Sequence, residues 1–212
     1  MHCELIVPGL FAEASGARAT GLELLLARGR ASHSEPRSLE GWLKEAFGLQ
    51  DHGMPAGALT LAASGRDAGG ECWGRADPIH LRLLRDRLIV VPGDAFALSA
   101  EEAGALTTAL NRHFAGSLVF EPVQAHRWCV RLERGFAFDA GSPLDVAGRD
   151  VDLALRIGGE DGRRWSQLVN EIQMLLHAHS VNQAREARGE PAVNSVWLWG
   201  VGTAPALAQT RW

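Results

Sequence analysis

The chain contains no tyrosine and only three cysteines among its 212 residues. Cys3, Cys72 and Cys129 are odd in number and widely spaced in apolar surroundings. This pattern disfavours a disulfide framework or a zinc site and favours reduced thiols in or near a core. Seven tryptophans accompany the missing tyrosine. Trp197 and Trp199 fall on one face of an apolar strand, where core packing is the default role and a stacking platform is the alternative.

Long apolar runs and a basic excess are also missing. No stretch of eighteen apolar residues occurs, and no basic region precedes the apolar residues at the start, so we expect a cytoplasmic protein with no membrane association. The net charge is −4. Without a basic excess, a general nucleic-acid binder is disfavoured. An apolar content of 46% is enough to bury a core, in one large domain or two small ones.

The first third of the chain alternates a strand with helices. The patterns predict a buried strand over 3–10 and helices over 20–28, about 38–47 and 56–63. Such a succession is typical of the start of an α/β layer. The loop 64–70 contains three glycines and is the candidate domain boundary.

Beyond this loop the chain is richer in strands. The patterns predict a hairpin of 79–84 and 87–91, a helix from a capping box at Ser99 and Glu102, strands over 118–123 and 127–133, a long helix over about 162–188, and a closing strand from 193. Trp128, Val130 and Leu132 predict one buried face for the fourth of these strands, with a polar face opposite. Residues 70–200 are thus expected to form an α+β domain with a mostly antiparallel sheet covered by two helices.

One polar turn joins the long helix to the closing strand. Gly189 is expected to end the helix in the left-handed conformation, and Pro191 prevents its continuation. The turn belongs to the pattern His179-x-Val-Asn182-x-x-Arg185-x-x-x-Gly189-x-Pro191-x-x-Asn194, closed by Gly200-x-Gly202. This pattern resembles a segment of archaeal-type, cofactor-independent phosphoglycerate mutases, where their inserted domain returns to the catalytic core. The variant Val-Asn-Ser-Val-Trp-Leu-Trp-Gly resembles more closely a bacterial branch of that family, described as RpfE-type regulatory proteins.

Three further segments resemble the family in the same order, so that the resemblance covers most of residues 1–202. They are Gly74-Arg75-Ala-Asp77-Pro-Ile-His-Leu, His126-Arg127-Trp-Cys-Val-Arg-Leu and Ser142-Pro-Leu-Asp-Val-Ala-Gly. The resemblance implies a truncated remnant of an alkaline-phosphatase-like α/β core over 1–68. An α+β insert domain over 69–202 and a tail over 203–212 would follow it.

The groups that carry the family's chemistry are missing. Its active enzymes transfer phosphate through a Ser or Thr nucleophile beside two divalent metals. By the resemblance, Pro8 replaces a metal-binding Asp, Ala56 the nucleophile and Gly57 the acid after it, and no Asp, Ser or Thr lies between Met1 and Glu13. The family's other ligands follow the Gly-x-Gly strand, whereas this chain stops ten residues after Gly202. We therefore expect no catalytic residues, no metal and no cofactor.

Five residues match the family's substrate-holding set in motif context, and arginines with amide donors suit a phosphate or carboxylate. These candidate ligands of a small anion are Arg75, Arg127, Asn182, Arg185 and Asn194. The alternative for the two asparagines is that they tie down the turn. The alternative for Arg185 is an ion pair with a Glu of the same helix.

The functional hypothesis is a catalytically degenerate mutase relative that binds a phosphorylated or acidic small molecule, or a regulatory protein partner. The alternative is an active metal-dependent phosphotransferase resembling the 2,3-bisphosphoglycerate-independent mutases. A third possibility is a piece of a longer protein, which would still lack the groups replaced by Pro8 and Ala56.

Overall fold

A computed structural model describes residues 20–30, 39–49, 53–85, 87–132, 140–147 and 159–205. The helices are α1 Thr20–Arg28, α2 Leu39–Ala46, α3 Ala56–Ala63, α4 Ala100–His113, α5 Pro143–Val146, α6 Gly159–His177 and α7 Ser180–Ala187. The strands are β1 Cys72–Leu84, β2 Arg87–Pro92, β3 Leu118–Gln124, β4 Arg127–Leu132 and β5 Ser195–Gly202. The predicted strand at 3–10 lies outside the described residues. None of the helices in these ranges is both long and apolar enough to cross a bilayer.

The strands form one sheet, in which every described pairing is antiparallel. The central strand β1 pairs with β4 through residues 72–75, with β5 through 73–79 and with β2 through 79–84. Because residues 73 and 75 pair with both β4 and β5, these two strands lie on opposite edges of β1. The predicted class, helices on a mostly antiparallel sheet, is confirmed.

The predicted hairpin is present. Leu84 pairs with Arg87, and Arg85 adopts a positive φ of 57° in the tight turn between them. The first strand begins at Cys72, earlier than the apolar pattern alone predicts. The polar side chains of Arg75 and Asp77 interrupt the apolar run there, although the family resemblance marks this stretch as a strand.

One face of the sheet carries the main core. The capping box is confirmed, since Ser99 N donates to Glu102 Oε2 over 3.0 Å and Glu102 N donates to Ser99 Oγ over 3.1 Å. The predicted stripe of α4 is buried, and α6 packs beside it. The buried members of this core include Leu106, Leu110, Trp128, Val130, Ile172, Leu176 and Leu198.

The prediction of a polar face on β4 is wrong at Cys129, which is fully buried. Helix α3 covers this face, and Cys129 packs with Ala58, Leu61 and Trp73. The covering helix comes from the other side of the loop 64–70, so α3 packs on β1, β4 and β5. The domain division at that loop stays a prediction.

The Cys129 thiol is expected to resist alkylation. Burial raises its pKa to about 12, and only the thiolate is nucleophilic, so roughly one thiol in ten thousand is ionised at pH 8. Iodoacetamide at pH 8 should modify Cys129 only after unfolding in urea, as measured by mass spectrometry of the peptides. Alkylation of the native protein at the rate seen in urea would contradict this expectation.

The prediction of one continuous helix over about 162–188 is wrong. The helix breaks at Ala178 and His179, giving α6 and α7. His179 has an extended backbone, with ψ of 137°, and its Nδ1 caps α7 by accepting from Val181 N over 3.2 Å. No glycine or proline marks the break, which is why the sequence hides the interruption.

The end of α7 is as predicted. Gly189 has a φ of 73°. Its N–H donates to Glu186 O, and Glu190 N donates to Arg185 O, both over 2.9 Å. This pair of bonds is the Schellman arrangement, which satisfies the last carbonyls of a helix.

Candidate functional site

Two adjoining cavities of about 370 and 240 Å³ lie where α2, α3, β1, β4 and β5 meet. Both are lined by Glu40, Arg75, Arg127 and Trp199, and we call them together the Arg75 cleft. Thr60 lines the larger cavity. Polar side chains that line only the smaller one are Asp77, Asp94, His126 and Ser142. The combined volume falls in the usual range for small-molecule sites.

Strand register assembles the base of the Arg75 cleft. Arg75 pairs directly with Trp199 across β1 and β5, and Asp77 follows two residues later on β1. Residues two apart on a strand share a face, as do directly opposed residues on neighbouring strands, so these three side chains lie together. Trp199 Nε1 donates to Asp77 Oδ2 over 2.7 Å. The guanidinium carbon of Arg75 lies 5.4 Å from the centre of the Trp199 ring, a cation–π distance.

Asp77 holds the guanidinium of Arg75 in place. Nε and Nη2 of Arg75 both donate to Asp77 Oδ1, the former over 3.1 Å, and Nη1 donates to Thr60 Oγ1 over 3.2 Å. Burial raises the pKa of Asp77, and the positive charge of Arg75 and the Trp199 N–H oppose that rise. Three of the five guanidinium N–H groups are thus engaged, which leaves two for a ligand.

Three charged groups of the Arg75 cleft have no partner among the described residues, and one of them is Asp94, an exposed carboxylate at the smaller cavity. Arg127 is exposed at the start of β4, and no described residue forms a hydrogen bond or ion pair with its guanidinium. Glu40 on α2 has one carboxylate oxygen, Oε2, that is buried and has no hydrogen-bond partner in the described part of the chain. Within the described part of the chain, the cleft therefore presents an unpaired cation, the unpaired Oε2 of Glu40 and the carboxylate of Asp94 to the same space.

Asn182 and Asn194 lie outside the Arg75 cleft, where both bind backbone groups. Asn182 Nδ2 donates to Leu176 O and Val193 O, each over 2.7 Å, and its Oδ1 accepts from Val193 N. Asn194 Oδ1 accepts from Leu81 N over 2.7 Å, and its Nδ2 donates to Leu81 O. These contacts fit the alternative in which the two amides tie down the turn between α7 and β5.

Arg185 is also remote from the cleft and is buried, with 1% of its surface exposed. Its Nε donates to Pro191 O over 2.8 Å, its Nη2 to Ala97 O over 2.7 Å and its Nη1 to Glu102 Oε2 over 2.8 Å. The carboxylate comes from α4 and not, as the alternative supposed, from the same helix. Burial opposes ionisation of Glu102, but the Ser99 N–H and the charge of Arg185 prevail and lower its pKa.

The structure thus brings Arg75 and Arg127 together and separates them from Asn182, Arg185 and Asn194. Sequence reasoning missed Glu40, and no local signal marks it, because only the packing of α2 brings it to the cleft. Asp77 and Trp199 could have been inferred from their spacing on paired strands. A buried charge two residues from Arg75 is a signal for a positioning group.

Ala56, the residue at the position that resembles the family's nucleophile, makes packing contacts. Ala56, 8% exposed, begins α3. A Cβ placed on Gly200 would lie 2.4 Å from the Cβ of Ala56, so helix and strand are in close contact there. Pro8 lies outside the described residues. In the described ranges, no three His, Cys, Asp or Glu side chains group to hold a metal ion. At position 56 the chain offers a methyl group and no hydroxyl.

No family model matches the chain. A 2,3-bisphosphoglycerate-independent phosphoglycerate mutase of Methanosarcina barkeri is 30% identical over 117 residues, which are 54% of this chain and 29% of the relative. A second mutase of that description, from Methanothermobacter thermautotrophicus, is 29% identical over 120 residues, or 56% of this chain and 30% of the relative. This chain therefore spans less than a third of the length of these relatives.

A solved cofactor-independent phosphoglycerate mutase from Thermoplasma acidophilum matches 65% of this chain and 38% of its own, with 19% identity and a TM-score of 0.45. Over about half of its length, the chain is a distant homologue of the archaeal cofactor-independent phosphoglycerate mutases.

Proposed function

We propose that this protein is a catalytically degenerate mutase homologue that binds a phosphorylated or acidic small molecule in the Arg75 cleft and acts as a regulatory protein. The observation that carries the proposal is that Arg127, whose guanidinium has no partner among the described residues, lines the same cavities as the fixed guanidinium of Arg75. Planar, charged donors of this kind suit a phosphate or carboxylate. Arg75 and Arg127 are the two of the five candidate binding residues that we keep in the proposed site.

The loss of catalytic groups supports a binding role. Ala56 has no hydroxyl and Gly57 no carboxylate, and Gly57 also packs against the backbone of Gly74. The finer placement in the RpfE-type regulatory branch rests on the tryptophan-bearing segment at 193–200 and is part of the proposal. A cytoplasmic location and a protein partner likewise stay predictions.

Binding is tested by calorimetric titration with 3-phosphoglycerate, 2-phosphoglycerate and inorganic phosphate. The unmodified protein should bind at least one of them, and Arg127→Ala should weaken that binding about tenfold or more, because it removes charge-assisted hydrogen bonds. Arg131→Ala is the matched control. Arg131 lies on the same strand, but it pairs with Glu71 and does not line the cleft.

Two results would overturn the binding proposal. One is that neither these three anions nor the phosphorylated amino acid O-phospho-L-serine binds. The other is that Arg127→Ala and Arg131→Ala bind the anions as the unmodified protein does. A thermal-shift panel with the same compounds gives an independent measurement, since a ligand that binds only the folded state raises the melting temperature.

The competing function is active phosphotransfer, which the names of the homologous mutases favour. Phosphatase and mutase turnover should be measured with Mn²⁺ and with Zn²⁺. We expect no turnover above that of the metal ions alone. Metal-dependent turnover that follows the protein through purification would refute the degenerate character of the chain.

A further inference from the structure

The buried oxygen of Glu40 has no role in the fold that the described residues reveal. Oε2 is shielded from solvent and accepts no hydrogen bond from them. A buried carboxylate oxygen without a donor is costly, and nearly all such atoms in folded proteins are paired. Glu40 lines both cavities of the Arg75 cleft, so a ligand bound there can supply the missing hydrogen-bond donor.

The charges around the cleft indicate what kind of donor this is. Arg75 and Asp77 form a pair whose charges offset each other. Among the described residues, Arg127 then presents an unpaired positive charge and Glu40 an unpaired negative one to both cavities. Asp94 adds a second unpaired negative charge at the smaller cavity. A ligand with only negative groups would meet Arg127 favourably and Glu40 unfavourably.

We infer that the Arg75 cleft takes a zwitterion, a small phosphorylated or carboxylic acid whose anionic group meets Arg127 and whose ammonium group donates to Glu40. This inference rests on the proposed anion-binding function and narrows its ligand class to amino-acid-like acids. An ammonium group satisfies Glu40 by charge and by hydrogen bonding together, which a hydroxyl group does not. The 370 Å³ of the larger cavity accommodates a molecule of a few heavy atoms.

A matched pair of ligands tests the inference. O-phospho-L-serine and 3-phosphoglycerate share a phosphate, a carboxylate and a three-carbon chain, and differ in carrying an ammonium or a hydroxyl group on the second carbon. In calorimetric titrations of the unmodified protein, O-phospho-L-serine should bind about tenfold more tightly or better, as a charge-assisted bond in place of a neutral one implies.

Glu40→Gln provides the variant, because it keeps the size and an acceptor oxygen while removing the charge. It should bind the two ligands with nearly equal affinity, and its melting temperature reports whether it has folded. Arg127→Ala should instead lower the affinity for both ligands by similar factors. The two variants thus separate the preference for the ammonium-bearing ligand from anion binding in general.

The possible results distinguish the two proposals. If 3-phosphoglycerate binds as tightly as O-phospho-L-serine or more tightly, the zwitterion inference is wrong and the anion-binding function stands. The inference also fails if Glu40→Gln keeps the original preference. If neither compound binds the unmodified protein, the zwitterion inference is overturned, and the anion-binding function falls with it when 2-phosphoglycerate and inorganic phosphate do not bind either.

Discussion

Replacing Arg185 with methionine is expected to lower the free energy of unfolding by about 3–5 kcal/mol, the usual cost of breaking a buried ion pair from one side. Methionine fills much of the same space but offers no donors. The carbonyls of Pro191 and Ala97 and the carboxylate of Glu102 would lose their partners. A small domain has about 5–15 kcal/mol of stability in total, so this one change would remove much of it.

Arg188→Met is the matched control. Arg188 is bonded to the same Glu102 and to Glu190, but its side chain is 49% exposed. Exposed ion pairs contribute about 0–1 kcal/mol to stability, so the free energy of unfolding of this variant should be close to that of the unmodified protein. The free energy of unfolding of both variants is measured by urea titration, with tryptophan fluorescence as the signal. An equal decrease in the free energy of unfolding of the two variants would contradict the structural role that we assign to Arg185.

Gly57→Ala is expected to destabilise the protein by about 1–3 kcal/mol, as overpacking in a tight core usually does. A Cβ at this position would lie 2.4 Å from the carbonyl carbon and 2.6 Å from the Cα of Gly74. These are backbone atoms, so α3 would have to move away from β1. The intrinsic preference of alanine for helices, about 1 kcal/mol over glycine, offsets only part of this cost.

Gly104→Ala controls for that intrinsic preference. Gly104 lies inside α4, and apart from its chain neighbours and the backbone of α4 itself, no atom lies within 4 Å of a Cβ placed on it. Its replacement should therefore stabilise the protein by about 0.5–1 kcal/mol. The comparison uses the same urea titrations. A stabilised Gly57→Ala variant would show that α3 does not pack on Gly74 as described.

The packing of α3 on Gly74 also matters for the Arg75 cleft. Thr60 on α3 accepts a hydrogen bond from Arg75 Nη1. A helix displaced by an alanine at position 57 would move Thr60 with it. Gly57→Ala is therefore expected to weaken anion binding as well, whereas Gly104→Ala is not.

Features held by neighbouring residues could be predicted from the amino-acid sequence. The capping box at Ser99, the hairpin at Arg85 and the helix end at Gly189 each depend on bonds spanning a few positions. The break at His179 was missed because no glycine or proline marks it. The cover on the second face of β4 was missed because the helix that packs on Cys129 belongs to a distant part of the chain.

The candidate site divides in the same way. Arg75 and Arg127 were found by motif, and the absence of a hydroxyl at position 56 can be read from the chain itself, since chemistry that a side chain lacks cannot be supplied by folding. Whether an arginine or amide serves a ligand or the fold depends on which groups packing leaves without partners. Long-range packing satisfies Asn182, Arg185 and Asn194, and it leaves Glu40 and Arg127 facing one cleft. That outcome depends on contacts between segments far apart in the chain, which local patterns do not encode.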